Sequence, residues 1–280
     1  MSTFAWRRMV WISILAAISS SLYAVDGVIL IDQKIARTGN LSPGDTPGFP
    51  VTISQTGSYR LAENLIVPDA VTTAIHITAD HVTLDLNGFS IIGPTICTGN
   101  PTTCNTSGGG VGIHAGDFQA GTIPARGVNV RNGTVRGIGF HGVRLMGDGA
   151  VVERVRTIGN GGPGIVVGNG AVIDSMAFNN GGVGIIALTA RGNVADGNGS
   201  VGIFMRDGGV AAGNSSNSNN GDGISATKAT VTGNTVIDNK GYGILANCPS
   251  SIVGNTVVGN LRGGIQPAGA GVCTLANNAQ

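Results

Sequence analysis

Residues 251–265 read SIVGNTVVGNLRGGI, and this stretch predicts the fold of the chain. Two short apolar segments, centred on Ile252 and Val257, flank Asn255. They are too short for helices and show no helical periodicity, so they predict short β-strands separated by tight corners. Ile252 and Val257 are expected to point inward from two such strands.

The same pattern recurs along the second half of the chain. The dipeptide Gly-Ile occurs six times with spacings of 20, 18, 21, 20 and 21 residues, beginning at Gly164, Gly184, Gly202, Gly223, Gly243 and Gly264. The residue four positions before each of these glycines is always asparagine: Asn160, Asn180, Asn198, Asn219, Asn239 and Asn260. Five positions farther back, four of the six repeats again carry asparagine: Asn193, Asn214, Asn234 and Asn255. Repeats of this kind predict a solenoid whose coils stack on one another.

The recurring asparagines are predicted to be structural rather than part of a binding site. A tight corner needs residues that tolerate a left-handed backbone, and both Asn and Gly do so. A stacked Asn can also donate an amide hydrogen to the carbonyl of the Asn one coil away. We therefore expect these ten asparagines to form ladders at the corners of the coils.

The sequence thus predicts an all-β protein, a right-handed parallel β-helix (solenoid) of about ten coils, because parallel crossovers are nearly always right-handed. The β-helix is expected over residues 61–280, with an irregular loop excursion at 94–124. Residues 25–60 lack the repeat and contain Pro43, Pro47 and Pro50. We expect them to form an N-terminal cap and a lead-in strand, since a solenoid needs its open end covered.

This pattern resembles the pectate-lyase-like superfamily of right-handed parallel β-helix proteins, and more closely the exported bacterial proteins with parallel β-helix repeats. The Asn-x-x-x-Gly-Ile coils and the stretch VTLDLNGFSIIG at 82–93 carry the resemblance, which covers roughly residues 60–280. It implies the fold, but the same coils serve lyases, hydrolases, epimerases, esterases and non-enzymes. The resemblance also allows a calcium site, yet the carboxylates are dispersed and form no ligand cluster. We therefore predict no cofactor and no metal site, and we assign no catalytic residue.

Residues 1–24 predict a signal peptide. Arg7 and Arg8 precede an apolar run from Met9 to Ile18, and the segment Ser19-Ser20-Ser21-Leu22-Tyr23-Ala24 that follows is small and polar enough to be a cleavage region. A short N-terminal membrane anchor is the alternative. Without Arg7 and Arg8, 14 of the 16 basic residues remain beside 15 acidic ones, a net charge near −1. This balance favours neither nucleic acid nor a membrane surface as a partner. An exported protein, periplasmic or extracellular, without a membrane span after cleavage, is expected.

Four cysteines in an exported chain predict disulfides, for which three pairings exist. We favour Cys97–Cys104, which closes a local loop, and Cys248–Cys273, which spans roughly one coil and a turn. Free buried thiols are the alternative.

A basic region follows the loop excursion, where solenoids often carry function. The candidate polysaccharide-binding residues are Arg126, Arg131, Arg136, His141, Arg144, Glu153, Arg154 and Arg156. Guanidinium groups bind carboxylates and sulfates through paired hydrogen bonds. The region therefore predicts a groove that binds an anionic polysaccharide, or that binds and modifies it. The alternative is a solvated charged flank. His76 and His81 are expected to be ordinary outward-facing histidines.

Side chains alternate along a strand, so the residue after each Gly-Ile dipeptide should point outward. Four of these six residues are large and apolar: Val166, Ile186, Phe204 and Leu245. A contiguous apolar stripe is unusual on a soluble monomer and predicts self-association or a partner. The second candidate function is therefore a non-catalytic structural or adhesive module. A register error of one residue, or a loop that covers the stripe, would remove this prediction.

Overall fold

The computed structural model of the protein describes residues 27–99, 102–105, 108–116 and 124–280. The predicted signal peptide, residues 1–24, lies outside the described residues, as do parts of the 94–124 excursion.

The described residues form 28 β-strands and one short helix, α1 (Gln33–Thr38). In chain order the strands are β1 (Val28–Ile31), β2 (Val51–Ile53), β3 (Gly57–Leu61), β4 (Leu65–Ile66), β5 (Ile75–Ile77), β6 (Val82–Asp85), β7 (Ser90–Ile92), β8 (Cys97–Thr98), β9 (Thr103–Cys104), β10 (Ile113–Ala115), β11 (Asn129–Arg136), β12 (Val143–Leu145), β13 (Val151–Ile158), β14 (Ile165–Val167), β15 (Ala171–Ile173), β16 (Met176–Phe178), β17 (Ile185–Arg191), β18 (Val194–Asp196), β19 (Ile203–Ala212), β20 (Ser215–Asn217), β21 (Ile224–Thr227), β22 (Thr230–Thr232), β23 (Thr235–Ile237), β24 (Tyr242–Asn247), β25 (Ser251–Val253), β26 (Thr256–Val258), β27 (Gly263–Ala268) and β28 (Thr274–Ala276).

Each full coil contributes a strand to three parallel sheets, and four long strands bend through a corner to join two of them. The first sheet contains β2, β5, β10, β12, β14, the starts of β17 and β19, β21, β24 and β27. The second contains β1, β3, β6, the starts of β11 and β13, β15, the ends of β17 and β19, β22, β25 and β28. The third contains β4, β7, the ends of β11 and β13, β16, β18, β20, β23 and β26. The predicted all-β solenoid of about ten turns is confirmed.

The core lies inside the coils and is built from stacked β-branched side chains. The isoleucine of each Gly-Ile dipeptide points inward, and Ile165, Ile185 and Ile203 are fully buried and paired in register from coil to coil. Burial of such a side chain stabilises the fold by about 1.5–3 kcal/mol. Parallel strands with buried β-branched residues at every turn explain why a chain with 48 glycines still forms a packed core.

Two asparagine ladders run inside the corners of the coils. In the first, each Asn Nδ2 donates to the Oδ1 of the Asn one coil on, at 2.9–3.0 Å, from Asn160 to Asn260. In the second, the same bonds connect Asn193, Asn214, Asn234 and Asn255, and continue to Asn278 at 2.9–3.0 Å. The backbone N–H of each Asn donates to the same Oδ1, as from Asn198 to Asn219. Each side chain thereby ties three adjacent coils together.

The left-handed backbone occurs one residue before each ladder asparagine. In the first ladder these preceding residues have φ between 51° and 71°: Gly159, Asn179, Gly197, Ser218, Asp238 and Gly259. The ladder asparagines do not themselves adopt positive φ. The expectation that they are used because they tolerate a left-handed backbone is therefore wrong. The preceding residue turns the chain, and the turn directs the asparagine side chain into the corner.

Parallel pairing begins within the segment expected to be a cap, because β1 pairs with β3 from Val28 to Ile31. Helix α1 then covers one sheet edge. The Gln33 side chain accepts from Ile66 N at 2.8 Å and donates to Ile66 O at 3.2 Å, as a neighbouring strand would. An edge strand of the third sheet is therefore blocked by a side-chain amide.

Both predicted disulfides are present, Cys97–Cys104 and Cys248–Cys273. The first closes an antiparallel hairpin of β8 and β9 within the 94–124 excursion. This disulfide hairpin (residues 94–99 and 102–105) crosses the corner between the third and first sheets, where Cys97 Sγ lies 3.4 Å from Asn160 O and Thr102 Oγ1 donates to Gly197 O. The excursion is not irregular throughout, since β10 takes its place in the first sheet.

Candidate functional site

One row of side chains on the outer face of the first sheet changes character along the solenoid. The row consists of residues paired in register from coil to coil: Thr52, His76, His114, Arg144, Val166, Ile186, Phe204, Ser225, Leu245 and Gln266. We call it the outer row. Parallel strands lie about 4.8 Å apart, so neighbouring members are side by side. The predicted apolar stripe forms one half of this row, and two histidines and an arginine precede it.

Three of the chain's four histidines gather around Arg144. The ring centroids of His76 and His114 are 5.4 Å apart, and Arg144 Nη1 lies 3.5 Å from His114 Nδ1. His141 lies two residues before the start of β12. Its ring packs edge-on against Phe140 at 4.0 Å between centroids. We call these four residues (His76, His114, His141 and Arg144) the His/Arg cluster.

Burial keeps two of these imidazoles uncharged. It lowers the pKa of His114 to about 4, and the nearby charge of Arg144 acts in the same direction. Burial, and then the charge of Arg144, likewise lowers the pKa of His141 to about 4. At neutral pH both rings are therefore neutral and can each donate one hydrogen bond and accept another. Burial also lowers the pKa of Arg144 below its ordinary value.

Arg144 carries a half-buried positive charge without a nearby carboxylate among the described residues. The ion pairs among the described residues are Arg131–Asp85, Arg154–Glu153 and Lys228–Asp207, and all three lie on other parts of the surface. His141 Nδ1 is buried and has no hydrogen-bond partner among the described residues. A partly desolvated guanidinium without a counter-charge costs free energy, and an anion in contact with it would offset that cost.

The structure does not bring the predicted basic residues onto one face. Arg131 and Glu153 lie in the second sheet, where Arg131 Nε donates to Asp85 at 3.2 Å. Arg136 and Arg156 lie in the third sheet. The expectation of one groove lined by six arginines is thereby corrected, because every coil turns through three faces within about 20 residues.

The remaining predicted residues occupy corners. Arg126 is exposed, and its backbone N–H donates to Asp80. Arg154 follows Glu153 at the corner between the second and third sheets with φ 51°, and its Nε donates to Asn132 at 2.9 Å. Of the eight candidate residues, His141 and Arg144 are thus the two associated with the first sheet.

Sequence reasoning missed His114, which is fully buried, and His76, which is half-buried beside Gly116 O at 3.3 Å. A signal for His114 was available. The rule that the residue after Gly-Ile points outward also applies to Gly112-Ile113, and it selects His114. His81, by contrast, is exposed at a corner with φ 54°.

The apolar half of the outer row is unevenly exposed. Val166 is only 7% exposed, Ile186 and Leu245 are half-buried, and Phe204 is 40% exposed. Ser225 interrupts the apolar residues between Phe204 and Leu245. Phe204 is therefore the most exposed apolar side chain of the row, beside the half-buried Ile186.

Within the described ranges, no group of three or more His, Cys, Asp or Glu side chains is arranged to hold a metal ion. In the same part of the chain, no helix has the length and apolar character needed to cross a membrane.

The family model described as right-handed β-helix region matches residues 125–279. No curated protein matches the sequence. The solved structures most similar in fold include the A-module of the Azotobacter vinelandii mannuronan C-5 epimerase AlgE6, with 14% identity, a TM-score of 0.56 and coverage of 82% of this chain and 88% of that one.

A second similar structure is the Dettilon tailspike protein (gp208), with 17% identity and a TM-score of 0.55. The match covers 81% of this chain and 53% of the tailspike, so the chain spans about half of the tailspike's length. At these identities the likeness concerns the fold alone. Because the family model covers more than half of the chain and the coils stack as that family requires, the protein belongs to the right-handed β-helix family.

Proposed function

We propose that the protein is exported and binds an anionic polysaccharide on the outer face of the first sheet, with Arg144 as the anchor for an acidic group. The half-buried Arg144 guanidinium, surrounded by neutral imidazoles and without a carboxylate within ion-pair distance among the described residues, is the observation that carries this proposal.

The chemistry of the His/Arg cluster fits a sugar acid. A guanidinium binds a carboxylate or sulfate through two parallel hydrogen bonds. Neutral imidazoles can pair with hydroxyl groups as donors or acceptors. Since the outer row runs along the solenoid axis, an extended polymer would contact several coils at once.

The similar folds and the disulfides support the proposal in general terms. One similar structure is named as a mannuronan C-5 epimerase, so this architecture serves a protein that acts on a polysaccharide. Two disulfides suit an oxidising compartment, which agrees with the predicted signal peptide and with a periplasmic or extracellular location.

Binding of polygalacturonate and of mannuronan fragments, measured by calorimetry at constant ionic strength, tests the proposal. Replacement Arg144→Gln should weaken binding by about tenfold or more, because a hydrogen bond to a charged group contributes about 1.5–3 kcal/mol. The matched control is Arg156→Gln, which removes the same charge from an exposed position on the third sheet. We expect the control to bind within about twofold of wild type.

If Arg144→Gln and Arg156→Gln change the affinity equally, the proposed site is refuted, and any binding is then a property of net charge. Circular dichroism of both variants should show the wild-type fold, so that a loss of binding by Arg144→Gln is assigned to the lost guanidinium.

A further inference from the structure

The outer row changes from polar to apolar at a single step, and this step constrains the ligand. Arg144 is paired in register with Val166, which is followed in successive coils by Ile186 and Phe204. The next arginine on this face is Arg206, which lies two residues beyond Phe204 on β19, is half-buried and has no carboxylate within ion-pair distance among the described residues. The two arginines are three coils apart, about 14 Å at the spacing of parallel strands.

We infer that the ligand is a sparsely charged acidic heteropolysaccharide, in which uronate sugars are separated by neutral sugars that carry methyl or acetyl groups. This inference rests on the proposed function and specifies the substrate class of the same site. A uronate carboxylate would bind Arg144, and the following sugars would lie over Val166, Ile186 and Phe204.

A polymer with a carboxylate on every sugar would still bind through Arg144, but more weakly than a sparsely charged one. Its charges would lie against aliphatic side chains between the two arginines, where desolvation of an ion without a partner is costly. Methyl and acetyl groups would instead bury apolar surface against Ile186 and the 40% exposed Phe204. The row has no tryptophan or tyrosine and only one exposed aromatic ring, Phe204, so most of its apolar surface is aliphatic and favours substituent groups over ring faces.

The test uses short fragments of native gellan, which has one uronate per repeat together with a 6-deoxy sugar and acyl groups. Deacylated gellan has the same backbone and charge without the acyl groups. Wild-type protein should bind the native fragments more tightly, by about fourfold for each acyl methyl that becomes buried, because a buried methylene or methyl group contributes about 0.8 kcal/mol.

Two variants locate this preference. Phe204→Asn should remove the difference between native and deacylated fragments. Phe178→Asn is the matched control, because Phe178 is 37% exposed but lies on the third sheet, and it should keep the difference.

The outcomes separate the inference from the proposed function. Equal binding of the two gellans by wild type, with both weakened by Arg144→Gln, overturns the inference and leaves the proposed function standing. No effect of Arg144→Gln on either polymer overturns both. A wild-type dimer in light scattering that Phe204→Asn dissociates also overturns the inference, since a second copy then occupies the apolar half of the row.

Discussion

His114 shows how one residue on an outer face can acquire the environment of a core residue. It lies at an outward position of β10, between His76 on β5 and Arg144 on β12, yet it is fully buried. Its two partners in the outer row, His76 and Arg144, are other potential cations, so a charged imidazole there would meet both desolvation and repulsion. The neutral state of His114 leaves the positive charge of Arg144 as the dominant charge of the His/Arg cluster.

This environment predicts that acid destabilises the protein through His114 and His141. Their pKa values are about 4 in the folded state, below the ordinary histidine value of 6.5. Above pH 6.5 both rings are neutral in the folded and unfolded states, so their protonation does not reduce the stability of the protein. As pH falls from 6.5 towards 4, the unfolded chain binds protons that the folded protein does not, so stability falls.

Urea denaturation midpoints measured from pH 7.5 to pH 4 check this expectation. His114→Gln should show a smaller loss of stability over this range than wild type, because one such titration is removed. His81→Gln serves as the control, since it removes an exposed histidine that lies outside the His/Arg cluster. A His114→Gln slope equal to that of wild type would contradict the assignment.

At the scale of the elements, the asparagine ladders connect neighbouring coils at their corners. Asn198 is representative. Its Oδ1 accepts from Asn180 N and Nδ2, while its own Nδ2 donates to Ala177 O and to Asn219 Oδ1. All the donors of the Asn198 side chain are thus used, and the side chain is almost completely buried.

Replacement Asn198→Ala should therefore lower the free energy of unfolding by about 3 kcal/mol or more. The change leaves the buried donors of Asn180 and the carbonyl acceptor of Ala177 without this hydrogen-bond partner, and each unsatisfied buried group costs about 1–3 kcal/mol. The measurement is chemical denaturation followed by circular dichroism. The matched control Asn220→Ala alters the exposed asparagine that directly follows the ladder residue Asn219, and it should change stability by less than about 0.5 kcal/mol. Comparable losses in the two variants would show that the ladder contributes little.

At the scale of the whole molecule, each coil contacts its immediate neighbours, so stability is expected to vary along the solenoid axis. The last described coil, β27 and β28, has few fully buried side chains, and Leu275 within it is 45% exposed. The Cys248–Cys273 disulfide ties this coil to the preceding one, where β25 pairs with β28. The disulfide therefore stabilises the part of the solenoid that side-chain packing stabilises least.

Double replacement Cys248→Ala/Cys273→Ala should expose the amides of β27 and β28 to rapid hydrogen exchange, while the amides of β14 remain protected. The loss of a crosslink over 25 residues corresponds to roughly 3–4 kcal/mol in the chain-entropy account. Cys97→Ala/Cys104→Ala is the control, and it should leave β27 and β28 protected. Unchanged exchange of β27 and β28 in the first variant would show that strand pairing alone holds the last coil.

The amino-acid sequence by itself determined the coils, their inward isoleucines and the register of the outer row. These features follow from local chemistry that recurs every 18–21 residues: an isoleucine that must be buried, an asparagine that must be hydrogen-bonded, and a turn before it. Alternation along a strand then places Val166, Ile186, Phe204 and Leu245 in one row, because parallel stacking preserves the register from coil to coil.

Tertiary structure alone decided which charged groups meet. Arg131, Arg136 and Arg144 are close in sequence, but the coil carries them to three different sheets. His76, His114 and Arg144 are 38 and 30 residues apart, and they meet because β10, within the 94–124 excursion, pairs in register with β5 on one side and β12 on the other. The burial that lowers the pKa values of His114 and His141 depends on this stacking, and no local pattern of residues encodes it.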